Sequence, residues 1–207
     1  MCNLYRLASG PQEVARLFGV EADNGINIAA EVYPGYPGLV VANGRAQAMH
    51  WGFPLVLKGK RGQPLKPKPV TNARDDKLQS TFWRDSFVAR RCLIPVTQWA
   101  EPQGPAGGMT RTWYAVPETP VMAIAGFWRA SAEWGDVYAM VMVESSPQMA
   151  EVHDRMPVIL NEAARNLWLG GTVDEALALC QTWPGALVVE QTVDRWAGGG
   201  ASNSALL

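Results

Sequence analysis

Four segments in the middle of the chain, Arg91 to Trp99, Arg111 to Val116, Val121 to Trp128 and Val137 to Val143, are dense in Val, Ile, Trp and Tyr. Each is bounded by turn residues. β-Branched and aromatic side chains suit a pleated, half-buried surface, so these segments predict strands of an antiparallel, strongly curved sheet. Upstream, Leu39-Val40-Val41 and Ala46 to Trp51 are joined by Asn43-Gly44, which accommodates the positive φ angles of a type I′ hairpin turn. Cys2 to Leu7 reads as a further short strand and Ala186 to Thr192 as the last one. With 207 residues, 48% hydrophobic, nine Trp and 15 Pro, the composition suits a compact, loop-rich β protein better than a helical bundle.

Helices are short and peripheral in this reading. Pro11 to Phe18 is one, with Ser9 as its cap, and Thr81 to Val88 another. Ser146-Pro147 opens a third towards His153, since proline suits a first helical turn. Asn161 caps a helix ending at Gly170, and Thr172-Val173-Asp174-Glu175 is a capping box for a helix running to Cys180. Lys58 to Pro69 has no periodicity and reads as a mobile basic loop. The expected class is α+β: a single domain over residues 1–197, dominated by a curved, barrel-like antiparallel β-sheet with flanking short helices, then a flexible tail over 198–207.

No apolar run approaches ~20 residues, so no membrane partner is expected. The N-terminus lacks a basic region followed by an apolar stretch, which predicts a cytoplasmic protein. Cys2, Cys92 and Cys180 suggest neither a disulfide framework nor a zinc knuckle. With only His50 and His153, a multi-histidine metal site is excluded, and no cofactor is expected. The net charge of −1 conceals an asymmetry: Lys58 to Arg91 holds ten Lys or Arg and three Asp, while the rest holds eight basic and sixteen acidic residues. Such a distribution presents a polyanion-binding face. A solvated lysine loop accounts equally for Lys58, Lys60, Lys66 and Lys68, but less well for Arg74, Arg84, Arg90 and Arg91, interleaved with Phe82, Trp83 and Phe87.

Cys2 directly follows the initiator methionine, and its small side chain permits removal of Met1. The mature chain then carries a free α-amine, with a reference pKa of ~7.7–8.0, and a thiol, at ~8.5, on adjacent carbons. That pair has a distinctive partner, the aldehyde. The amine forms a Schiff base and the thiol closes on the same carbon as a five-membered thiazolidine. The steps need proton transfer from a carboxylic acid or imidazole. Three stretches offer suitable groups: Asn72 and Arg74, two residues apart on one face of an extended segment; Glu101, a lone carboxylate ending an apolar strand; and His153 with Arg155 ahead of an apolar run. Taken singly, each has an ordinary structural explanation, as a turn residue, a surface charge or a helix cap.

Jointly they resemble the SOS-response-associated peptidase family, whose members shield abasic sites in single-stranded DNA. The likeness covers most of the chain: Cys2, Trp51-Gly52-Phe53-Pro54, Asn72-Ala73-Arg74, Phe87 through Arg90-Arg91-Cys92-Leu93-Ile94-Pro95, Glu101, Ala125-Gly126-Phe127-Trp128, and His153 through Leu160. The resemblance implies that Cys2 captures the ring-opened sugar aldehyde. Asn72 would hold the amine or a sugar hydroxyl, Glu101 would act as acid and base, and His153 as the second proton carrier. It implies phosphate contacts from Arg74, Arg155 and Arg90 or Arg91, with Trp51 stacking on an unpaired base. The partner would be single-stranded DNA with abasic sites, bound by a monomer. Departures are Asn3-Leu4 after the cysteine, leaving Arg6 as the nearest arginine for a phosphate, Ala100 and Pro102 around the glutamate, and Ala29-Ala30-Glu31 in place of a common Pro-Thr pair.

Two other readings remain open. One is a cysteine autopeptidase, hydrolase or lyase acting on Met1 or on its own crosslink. The other is a non-catalytic single-strand-binding module that needs the basic block but no free amine. A Cys–His protease built on Cys92 is disfavoured, because that residue lies within an apolar strand.

Overall fold

The computed structural model describes residues 2–196; Met1 and the expected tail at 198–207 lie outside the described residues. The first half runs β1 (Tyr5–Arg6), α1 (Pro11–Phe18), β2 (Glu21–Ala22), β3 (Glu31–Val32), β4 (Pro37–Ala42), β5 (Arg45–Trp51), β6 (Phe53–Leu55), β7 (Lys68–Val70) and β8 (Asn72–Arg74). Next come α2 (Arg84–Ala89), β9 (Arg91–Val96), β10 (Gln98–Gln103), β11 (Thr110–Ala115), β12 (Met122–Ser131) and β13 (Gly135–Glu144). The chain finishes with β14 (Arg155–Pro157), β15 (Ile159–Leu160), α3 (Glu162–Gly170), α4 (Val173–Ala178) and β16 (Val188–Arg195).

The α+β class holds. Five strands in the order β13-β12-β9-β4-β5 close on themselves into a barrel. The closing pair, β13 with β5, is parallel, with Val137 opposite His50 and Tyr138 opposite Trp51. Alternation within single strands does not reveal that long-range parallel step. A second sheet, β16-β11-β10-β1-β3, lies beside the barrel. The expected strand Arg91 to Trp99 is therefore divided between two sheets. It breaks at Thr97, whose N–H donates to the Arg6 carbonyl and whose hydroxyl accepts from the Ala8 N–H.

The barrel is packed tightly enough to dictate two glycines. A Cβ on Gly126 would lie 2.6 Å from Ile94 Cδ1 and 2.9 Å from the Ala139 carbonyl oxygen. One on Gly38 would strike the hydroxyls of Tyr5 and Tyr138, which bond to each other in the core. Local signals hold as read at Asn43 and Gly44, with φ of 53° and 72°. They also hold at Asn161, whose side chain accepts from Ala164 N–H, and at the Thr172–Glu175 capping box.

Three local expectations change. Gly10, not Ser9, caps α1, without a side-chain bond, and Pro11 supplies the fixed φ of the first turn. The segment after Ser146-Pro147 makes successive turns, through Met149 N–H to Ser146 O and His153 N–H to Met149 O, and never settles into a helix. The basic segment is a hairpin extending from β6 and β7, with Leu65 N–H to Leu57 O and Gly59 N–H to Gln63 O, each at 2.8 Å.

Candidate active site

The amino-terminal segment enters between the barrel and the second sheet. Tyr5 lies opposite Trp99, and Ala100 N–H donates to Leu4 O at 2.9 Å. Continuing that antiparallel register by two residues sets Asn3 opposite Glu101. From the barrel side, β8 runs parallel to β13, with Asn72 opposite Met140. This brings Asn72 against Cys2: its Nδ2 donates to the Cys2 carbonyl at 2.8 Å and to Thr71 Oγ1 at 2.9 Å. Cys2, Asn72 and Glu101 are all buried. Three residues distant in sequence thus converge, and Thr71, not singled out from the sequence, orients the amide of one of them.

Burial governs the chemistry of these groups. Desolvation raises Glu101 to about 7 from an ordinary 4.5, and the charge of Asp154 pushes in the same direction. A carboxyl in that range can exchange a proton near neutrality. Burial, and then the charge on Glu101, hold the Cys2 thiol well above its usual range; its Sγ donates to the Leu4 carbonyl. The thiol is therefore held in its protonated form in this environment.

His153 is partly buried, which lowers its pKa. Its Nδ1 accepts the Arg155 backbone N–H at 2.9 Å, so the neutral ring carries its proton on Nε2. Asp154 approaches the same nitrogen at 3.2 Å, but it is 86% exposed, and water screens that contact. The charge of Asp154, the residue next to His153, acts on both Glu101 and the imidazole, so the two proton-carrying groups share one electrostatic environment.

The expected DNA-contact residues separate into groups. Arg74 and Arg155 line one cleft of about 400 Å³ together with Asp75, Asp76 and Thr182. Arg74 bonds both carboxylate oxygens of Asp76, at 2.8 and 2.9 Å, and Arg155 reaches Asp75 at 3.4 Å. Arg90 bonds the Trp128 carbonyl at 3.1 Å. Arg91 is committed to the carbonyls of Trp168, Gly171 and Phe87, fastening α3 to β9. Arg6 lies over the Trp113 ring at 4.2 Å, beside Gln98 and Glu190.

Trp51 corrects the expectation of an open stacking face. It has no exposed surface, its indole N–H donates to Thr71 O at 3.1 Å, and Tyr5 and Tyr138 cover it. A tryptophan ending a barrel strand has a core to fill, which the motif around it does not reveal. Among the described residues, no group of three or more His, Cys, Asp or Glu gathers as a metal ion would require. Nor is any helix among them long and apolar enough to cross a membrane.

A family model described as SOS response associated peptidase (SRAP) matches residues 1–196. Among curated proteins, the abasic site processing protein YoqW of Bacillus subtilis (strain 168) is 26% identical over 145 residues, covering 62% of this chain and 58% of that protein. The protein of the same name from Bacillus phage SPbeta matches to the same extent. The aligned region thus spans little more than half the length of these relatives. Among solved structures, a Bordetella bronchiseptica protein is 21% identical with a TM-score of 0.77, covering 92% of this chain and 99% of that one. A Bacteroides thetaiotaomicron protein is 16% identical with a TM-score of 0.76, covering 92% and 91%. At those identities the likeness establishes the fold.

Proposed function

Since the chain belongs to the SOS response associated peptidase family, we propose that it processes abasic sites in DNA, capturing the lesion covalently on a single strand. The curated relatives of that printed name support the first part. The observation that carries the second is the junction of Cys2 with Asn72 and Glu101 in one buried polar cluster.

The chemistry follows from the mature terminus. Removal of Met1 turns the Cys2 amide nitrogen into an amine. Neutral below about pH 7, Glu101 donates a proton to the ring oxygen as the sugar opens and recovers it from the C1 hydroxyl. The amine adds to the freed aldehyde, and Glu101 protonates the carbinolamine hydroxyl that leaves as water, recovering its proton from nitrogen. The Cys2 S–H then adds across the C=N bond. Sulfur bonds to carbon, the proton goes to nitrogen, and the whole sequence releases one water. His153, carrying its proton on Nε2, serves the ring closure or its reversal.

A Schiff base left open would acidify the hydrogens on the neighbouring sugar carbon and break the strand by β-elimination. A tetrahedral thiazolidine carbon removes that electron sink and stores the lesion. Asn72 fixes the Cys2 backbone through its Nδ2, so it is a positioning residue for the nucleophile. Arg74 and Arg155, each two residues from a site residue, hold the flanking phosphates, whereas Arg6 faces Trp113 on the other side of the second sheet.

The test is a denaturing-gel assay on single-stranded DNA with one abasic site. Wild type should give a shifted covalent band, absent for Cys2→Ala and for wild type whose mature amine has been acetylated. An equally strong band from the alanine variant refutes the mechanism. A reading as a plain single-strand binder would instead leave no covalent band with any of the proteins.

A further inference from the structure

The inner face of the second sheet carries more polar atoms than the chemistry above employs. Trp99 and Tyr114 are cross-strand partners there, their rings stacked at 5.5 Å. Glu101 is two residues from Trp99, and its cross-strand partner Thr112 is two from Tyr114, so all four share one face. Asn3 joins them through the register set by Tyr5 and Trp99. On that face three atoms are buried without a hydrogen-bond partner: Asn3 Oδ1, Trp99 Nε1 and Tyr114 Oη, the last within the electrostatic reach of Glu101. Leaving one such group unpaired costs about 1–3 kcal/mol, and three gathered on one face have a shared explanation in a missing polar ligand.

The set consists of an acceptor, a donor and a hydroxyl that is both. It suits a hydroxylated molecule better than an anion, because no cation is among the three, and better than an apolar group, which would leave all three unpaired. Ring opening of an abasic deoxyribose frees a hydroxyl on the same sugar whose aldehyde Cys2 would take. We propose that Asn3, Trp99 and Tyr114 form a hydroxyl-binding subsite that holds the open-chain sugar beside Glu101. This rests on the function proposed above and adds positioning residues to it. Asn3 has a reason to be there: it follows the nucleophile directly, so its side chain reports the placement of the sugar relative to the amine.

The test compares crosslinking rates on two single strands under subsaturating protein. One carries the natural abasic sugar, and the other an acyclic aldehyde linker lacking the freed hydroxyl. Tyr114→Phe and Asn3→Ala should each slow the natural reaction about five- to tenfold and leave the reaction with the linker unchanged; in a protein titration they should raise the half-saturating concentration more than they lower the limiting single-turnover rate. Thermal stability of Tyr114→Phe should match or exceed that of wild type, because the hydroxyl removed had no partner. Equal rates for variant and wild type on the natural sugar overturn the subsite. Equal slowing on both substrates also overturns it, and assigns the residues to tuning Glu101. Failure of wild type on both substrates refutes the parent function and the subsite with it.

Discussion

Replacing Glu101 by Gln should make the protein more stable above neutral pH while disabling it. The side chain is fully buried, and its pKa is raised from 4.5 to about 7. Between those values the unfolded chain has released the proton and the folded chain has kept it. Unfolding free energy therefore falls by about 1.4 kcal/mol per pH unit as pH rises. The contribution is fully present below pH 4.5, and above pH 7 it is lost, a total of about 3 kcal/mol. Glutamine has the same shape and no charge to desolvate. Urea unfolding of Glu101→Gln against wild type should show little difference at pH 4.5 and a gain on the order of 3 kcal/mol at pH 8, equivalent to roughly 6–12 °C for a chain of this size. The variant should lose about 10²–10⁴ in crosslinking rate, the usual worth of a general acid. A pH-independent stability difference, or a variant less stable than wild type at pH 8, would refute the buried, raised carboxyl.

The same pKa shapes the rate. With the amine near its reference pKa of ~7.7–8.0 and Glu101 at about 7, crosslinking should peak at about pH 7.4 and fall on both sides. Glu101→Gln should retain only the limb that rises with pH. Trp51→Phe removes a buried indole bond to Thr71 and should cost about 1–3 kcal/mol of stability in denaturant unfolding. It should leave single-strand affinity unchanged. Arg155→Gln should reduce the slope of log affinity against log salt by about 0.7, one phosphate on a single strand. Arg91→Gln should leave that slope alone and lower the melting temperature, because Arg91 binds carbonyls of α3 and the turn after it.

What the sequence disclosed depended on the range of the interaction involved. Asn43-Gly44 and Thr172 to Glu175 act over two to four residues, and both formed as read. The pairing of β13 with β5, which closes the barrel, joins segments some ninety residues apart and leaves no mark in the alternation of either. Candidate nucleophile and proton carriers were legible because a terminal aminothiol, a carboxyl and an imidazole have specific chemical uses. Their environment was not. Trp51 was read as exposed from its motif, whereas its burial is set by Tyr5 and Tyr138, far away in sequence. Arg91 looked like a phosphate ligand because charge is visible in a sequence and the carbonyls that consume it are not. Tyr114 read only as a strand residue, and Asn3 only as a departure from the family pattern. Only the register of β1 against β10 and of β10 against β11 puts them around Glu101.

The most direct measurement is the intact mass of the adduct formed on abasic single-stranded DNA, taken with and without a hydride reductant. A closed thiazolidine gives the Met1-less protein plus DNA, less one water, and the reductant leaves that mass unchanged. A gain of two hydrogens would mean the adduct is an open Schiff base, and loss of no water would mean the amine and thiol of Cys2 never closed on the sugar.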